Sequence, residues 1–250
     1  AVDNPVRTAR HMHIYSEFVF LHTPRTAGTF LAEVFAAELG TPVASYERHP
    51  GWEAVPPWAK DLPVLVFVRN PWDWYVSWYH YLAGVVFPSV STAALRENPW
   101  VRLVFGDAIE VVDGRAQHAC DFTTVVERAC GALDLSHPAF CGLLEGGDQE
   151  AARVASGYDI YTVQLLKMVG SGLGSERLTI GRFESLYDDL VAFGAKVGLG
   201  VAKDRWERLL QQPAINSHPH PPYRQQYDAR LRGVVGAACE CIIQRFAYRF

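Results

Sequence analysis

Two short polar turns carry the residues of this chain best suited to holding an anion. The first is His22-Thr-Pro-Arg-Thr-Ala-Gly-Thr-Phe-Leu31. Arg25 brings a permanent charge and a planar fork of donors, and Thr26 and Thr29 add hydroxyls. Gly28 lets backbone N–H groups approach a ligand with no Cβ in the way. Pro24 and Gly28 punctuate the turn, and the apolar positions Phe30, Leu31, Val34, Phe35 and Leu39 behind it fit one helical stripe. Gly40 and Pro42 end that stripe, so a helix N-terminus would aim its positive dipole end at the turn. The nucleotide-triphosphate loop GxxxxGK[ST] is not present, because no Gly-Lys-Ser/Thr occurs here.

The second turn is Arg69-Asn-Pro-Trp-Asp-Trp-Tyr-Val-Ser77. Arg69 ends an apolar run, Asn70 suits a helix cap and Pro71 suits the first helical position. Asp73 complements the dipole, and Ser77 lies one turn further along the same face. Arg69 and Ser77 are therefore candidates to meet one anion. Trp72, Trp74, Tyr75, Trp78, Tyr79 and Tyr81 are too many for a single stripe, and core packing is expected for most of them. Taken alone, each turn also fits an ordinary strand-to-helix connection.

Positioning these turns requires strands before them and helices after them. Residues 17–22, 42–46, 64–68 and 177–181 read as strands, and they alternate with helical patterns. Clear helices are expected after Thr29, over 123–130, 159–168 and 185–197, and as one last helix over 228–246. This predicts a single α/β domain over residues 1–250, a three-layer αβα arrangement with a parallel sheet covered on both faces. The glycine-interrupted middle, about 87–175, would be an insert forming a substrate pocket over the sheet, since loops on a rigid scaffold usually set ligand choice.

A chain of 250 residues with 49% apolar composition can bury a full core. Its net charge of −4 gives no overall basic field for nucleic acid or an anionic membrane, so anion binding must rest on local arginines. The five cysteines, 120, 130, 141, 239 and 241, lack paired CxxC spacing, which fits a reducing compartment. His118, Cys120, His137 and Cys141 match no common zinc spacing, and no metal is called for. No apolar span of 18 residues and no signal-peptide pattern occurs. Ala-, Val-, Gly- and Arg-rich usage points to a bacterial-like cytoplasmic protein, with a membrane anchor preceding Ala1 left open.

Together these segments resemble the sulfotransferases that use 3′-phosphoadenosine 5′-phosphosulfate (PAPS), in particular the carbohydrate-type branch. That branch carries H-x-P-K-T-A/G-G-T after its first strand and R-N-P-W-D-x-x-x-S at the end of a later one. Here they read HTPRTAGT and RNPWDWYVS. Ile180-Gly-Arg-Phe-Glu-Ser-Leu186 is similar to the branch's R-F/Y-E-x-L strand, and the stretch from Asn216 through Tyr223-Arg224 to Phe246-Ala-Tyr-Arg-Phe250 resembles its closing block. The resemblance covers a cofactor-binding core of about 17–82 and 177–250.

The resemblance implies a P-loop-like turn in which Arg25, Thr26, Ala27, Gly28, Thr29 and Phe30 hold the 5′-phosphosulfate. Arg69 and Ser77 would hold the 3′-phosphate, and Tyr223 and Arg224 would close over the cofactor. Arg25 stands where the family usually has lysine, a compact charge rather than a fixed fork. The implied reaction moves a sulfuryl group from PAPS to an acceptor hydroxyl on a glycan, phenol or small natural product, without metal, and releases the 3′,5′-bisphosphate PAP. Histidine suits the base that such an acceptor needs. His49, after the strand candidate over 42–46 and before the one over 64–68, is the first choice, with Glu47 and Glu53 in reserve. His218 and His220 stand near the closing block as lesser candidates for the 3′-phosphate. A nucleotide-dependent kinase is the alternative enzyme, disfavoured because its lysine-serine loop and magnesium carboxylates are missing. A non-catalytic nucleotide-binding module is the other alternative, kept open by Arg25.

Overall fold

The computed structural model describes residues 10–47, 49–97, 101, 104–105, 108–112, 115–131, 157–211 and 220–250. They belong to two compact units, residues 1–69 with 164–217 and residues 70–163 with 218–250. Described residues of the expected insert up to 163 therefore group with the helix over Pro71–Tyr81 and with residues 220–250, whereas those from 164 to 175 group with the first unit.

The first unit is built on a five-stranded sheet. Its elements are β1 (Arg10–Ile14), β2 (Val19–Leu21), helix α1 (Gly28–Leu39), β3 (Ala44–Glu47) and β4 (Val64–Val68). All five residues of β4 are buried, as expected for a strand covered on both faces. Beyond the first stretch of this unit, the chain forms α2 (Pro71–Tyr81), β5 (Ile109–Val112), β6 (Arg115–His118), α3 (Phe122–Ala129) and α4 (Ile160–Val169). The sheet is completed by β7 (Leu178–Arg182), followed by α5 (Leu186–Val197) and α6 (Lys203–Leu210).

The strand order is β3-β1-β2-β4-β7. The sheet is mixed rather than parallel, which corrects the sequence reading. β2, β4 and β7 pair in parallel, while β1 is antiparallel to both β2 and β3. It follows that β3 runs the same way as β2, β4 and β7, and β1 alone is reversed. The four strands expected from sequence are the four that share a direction. β1 escaped notice because Arg10, His11 and His13 break its apolar pattern; it joins β2 through a tight turn closed by the Tyr15 N–H to Phe18 carbonyl bond. Aromatic and aliphatic side chains of α1, α5 and α6 pack on Phe20, Leu65 and Phe67 of the sheet, with Phe35 and Phe193 edge-on to Phe18.

The second unit contains α2, the β5–β6 hairpin, α3, α7 (Ala229–Ala238) and α8 (Glu240–Phe246). The single last helix expected over 228–246 is two helices, interrupted at Cys239. Asn70 explains the fixed start of α2. Its Oδ1 accepts from the Trp72 N–H and its Nδ2 donates to the Arg249 carbonyl, so one side chain caps the helix and ties down the chain's closing residues. Trp72 donates from Nε1 to the Arg232 carbonyl, and Phe250 packs edge-on against Trp72, Tyr223 and Tyr227. Most of the α2 aromatics are core, as expected: Trp72, Trp74, Tyr75 and Trp78 are buried. The fully buried carboxylate of Asp159 is well satisfied, accepting from Tyr75 Oη at 2.7 Å, from the Tyr161 and Thr162 N–H groups and from Thr162 Oγ1.

Candidate functional site

Strand direction determines where the polar turns gather in the first unit. The carboxyl ends of β2, β3, β4 and β7 lie at one edge of the sheet, and the reversed β1 begins there. The turn Thr23–Ala27, the His49 loop, Arg69, and Phe183 after β7 all leave from this edge. Carboxyl edges of α/β sheets are where ligands usually bind.

The turn before α1 has an unusual backbone. Arg25 (φ 63°) and Ala27 (φ 65°) are both left-handed, a conformation that costs a non-glycine residue about 1–2 kcal/mol. Ala27 occupies the cap position of α1, and no side chain caps that helix. By contrast, α2, α3 and α7 are capped by Asn70, Asp121 and Asp228. Alternating left-handed residues ahead of an uncapped helix start make a concavity of backbone N–H groups suited to an anion. Thr26 is turned inward: its hydroxyl donates to the Thr23 carbonyl at 2.9 Å and is buried. The Phe30 side chain is in the core, which leaves only its backbone for a ligand. Arg25 and Thr29 are half-buried.

Arg69 braces this turn from β4. Its Nη1 donates to the Arg25 carbonyl at 3.1 Å, and its guanidinium lies 4.3 Å over the Phe183 ring. Only 9% of Arg69 is exposed, so the charge is held rather than solvated.

Gly28 serves a purpose the sequence does not reveal. A Cβ there would fall inside the His22 imidazole, so the glycine makes room for a buried ring beneath the turn. We expect Gly28→Ala to destabilise the protein by about 1–3 kcal/mol, the usual cost of overpacking, despite alanine's better helix propensity. Denaturant unfolding measures this, and His22→Ala in the same chain should remove most of the penalty. A neutral Gly28→Ala would mean that the ring is not wedged there.

His49 is also left-handed (φ 51°) and half-buried. Its Nδ1 lies 2.8 Å from the His22 carbonyl and its ring stacks on His11 at 3.5 Å. A carbonyl only accepts, so Nδ1 carries the proton and Nε2 the lone pair. Burial lowers its pKa to about 4, partly opposed by the His22 hydrogen bond and aided by the Lys167 charge. Burial, helped by the His49 charge, also lowers His11 to about 3 and His22 well below the ordinary histidine value. All three rings are neutral at pH 7. His11 and His22 were given no role from sequence. The available signals were the His-x-His pattern in β1 and the histidine heading the first turn, and neither matches a spacing motif.

The reserve bases are placed differently. The Glu53 carboxylate accepts from the Ser171 N–H at 2.8 Å, beside a small cavity of about 180 Å³ lined by Trp52, Lys60 and Arg177. Glu47 is exposed on β3. In the second unit, Ser77 is buried within α2. Tyr223 and Arg224 share a short helical turn, with Arg224 exposed and its Nε donating to Tyr223 Oη at 3.3 Å. His220 stacks on His80 at 5.5 Å. His137, Cys141 and His218 lie outside the described residues. Cys120, Cys130, Cys239 and Cys241 are free thiols, and burial pushes Cys130 and Cys239 well above the usual thiol range. Among the described residues, no helix is long and apolar enough to cross a membrane. The chain matches no family model, no curated protein and no solved structure.

Proposed function

We propose that this chain is a PAPS-dependent sulfotransferase acting on a hydroxyl acceptor, on a three-layer αβα fold with a P-loop-like turn. The observation that carries this reading is the Arg25–Ala27 backbone: two left-handed residues ahead of an uncapped helix, in the segment that resembles the family's phosphosulfate loop. Among proteins with such turns, the resemblance selects this donor because Arg69 and the RNPWD segment accompany it.

PAPS supplies the sulfuryl group. On this reading, the N–H groups at the start of α1 and the Arg25 guanidinium would hold the 5′-phosphosulfate and meet the charge that builds on the departing phosphate. Arg69 would hold the 3′-phosphate and keep the turn in its strained shape through the Arg25 carbonyl. The resemblance assigns Ser77, Tyr223 and Arg224 to the same cofactor. His49 would take the acceptor's proton at Nε2, its tautomer set by the bond to the His22 carbonyl. The acceptor is a glycan, phenol or small natural product.

Calorimetric titration with PAP, AMP and ATP, followed by a turnover assay in excess EDTA, tests the proposal. PAP is expected to bind far more tightly than AMP, and transfer should proceed in chelator, because side chains and backbone dipoles meet the donor's charge. Tight ATP binding with activity that returns only on adding magnesium would favour a kinase instead. PAP binding without turnover on any hydroxyl acceptor would favour the non-catalytic module.

A further inference from the structure

Three imidazoles meet at the carboxyl edge of the first unit's sheet. His11, His22 and His49 each bring one ring nitrogen to within 4.8 Å of the other two. Three elements set them there. His22 follows β2 directly. His49 follows β3. His11 sits at a register shift in the β1–β3 ladder, between Arg10 and Met12, and such bulges re-aim a side chain.

Two of these rings, and the residue that follows His22, carry buried polar atoms that lack partners. Nδ1 of His11, Nδ1 of His22 and Oγ1 of Thr23 are all buried without a hydrogen bond, and His22 is only 7% exposed. An unpartnered polar atom at such depth costs about 1–3 kcal/mol, and three together call for an explanation. Gly28 adds to the pattern, since its lack of a Cβ is what admits the His22 ring. The His49 Nδ1–H bond to a backbone carbonyl is the arrangement that commonly orients a metal-ligating histidine and leaves Nε2 to bind.

We propose that His11, His22 and His49 form a binding site for a divalent transition-metal ion of the zinc type. A site of imidazoles alone suits zinc, cobalt, nickel or copper and has nothing to offer magnesium or calcium, which want oxygen. Bonds of about 2.0–2.1 Å to one ion set the ligating nitrogens roughly 3.3 Å apart, so small adjustments of the three rings must draw them together. Among the described residues no carboxylate belongs to the cluster, and the Arg25 and Lys167 charges lie close enough to depress these histidines. The bound ion therefore keeps its full charge, and its remaining position goes to water, hydroxide or another anion. An ion held here occupies the Nε2 lone pair of His49.

The proposal stands independently of the sulfotransferase reading, because its test is direct binding. The full chain, stripped with chelator and dialysed, is titrated with zinc against a chromophoric competitor and with cobalt(II) under visible absorption. We expect one ion per chain at micromolar concentration, a strong cobalt absorption, and no competition from magnesium. His49→Ala, in a loop and half-buried, should weaken zinc by on the order of 100-fold, since even partners behind the ligands are worth 10–100-fold. His22→Asn should do the same, and His220→Ala should leave binding unchanged. Wild-type protein that takes up no zinc at micromolar concentration overturns the site. So does binding that survives His49→Ala or is lost in His220→Ala.

Discussion

Replacing Arg69 with alanine is expected to weaken PAP by about 2–4 kcal/mol, roughly 30- to 700-fold, and to abolish most of the preference for PAP over AMP. The estimate is for truncating one partner of a buried, charge-assisted contact. Arg69 is nine-tenths buried, so its charge is poorly screened and a 3′-phosphate facing it would gain accordingly. The bond from Nη1 to the Arg25 carbonyl adds a second effect. Its loss loosens the left-handed turn, and that should weaken AMP as well, by about tenfold or less. The informative quantity is therefore the PAP-to-AMP ratio rather than either affinity alone. Arg69→Lys keeps a charge but loses the fork, and should fall between wild type and alanine in that ratio. Equal losses for both nucleotides would leave Arg69 a brace for the turn and remove it from the 3′-phosphate.

Most of the helices and the buried parallel strands were legible because their signals are local; α6 (Lys203–Leu210), with only Trp206 and Leu209 buried, gave too sparse an apolar pattern to be read. The run Val64–Val68 is short, continuous and β-branched, and the Phe30–Leu39 stripe has one clear period. The Asn70 cap and Pro71 start were likewise readable, and α2 begins where they place it. What escaped was set by tertiary contact. Strand β1 is recognisable only once β2 and β3 flank it, because two of its five residues are histidines. Gly28 looked like room for an anion, but it is equally room for the His22 ring, a neighbour six residues earlier that only folding brings there. The left-handed backbone at Arg25, Ala27 and His49 had no sequence mark at all, since none of these is glycine or asparagine. Strain at such positions survives when surrounding packing over-determines it, as Arg69 and the His11–His49 stack do here. The break at Cys239 is likewise invisible in a stripe that stays in register across it.

His49→Ala, assayed in EDTA, is expected to lower turnover on an alkyl alcohol by roughly 10²- to 10⁴-fold, the usual worth of a general base, with PAP affinity nearly unchanged. The low pKa of this imidazole places the effect toward the smaller end, because a weak base draws less on the acceptor's proton. The same shift sets a pH signature. A histidine whose pKa falls from the ordinary 6.5 to about 4 stays unprotonated from neutral pH down to about 5. The rate should therefore not drop between pH 7 and 5 on this group's account, whereas a solvated histidine would titrate in that window. Acidic phenols need less help, so the defect should shrink as acceptor acidity rises. Zinc provides an independent arm. His49 Nε2 cannot bind a metal and accept a proton at once, so wild-type turnover should fall with zinc occupancy, while the residual rate of His49→Ala should not. If His49→Ala retains near-normal turnover on an alkyl alcohol, the base is another group. Glu53 is already engaged by the Ser171 N–H, so exposed Glu47 on β3 is then the residue to replace.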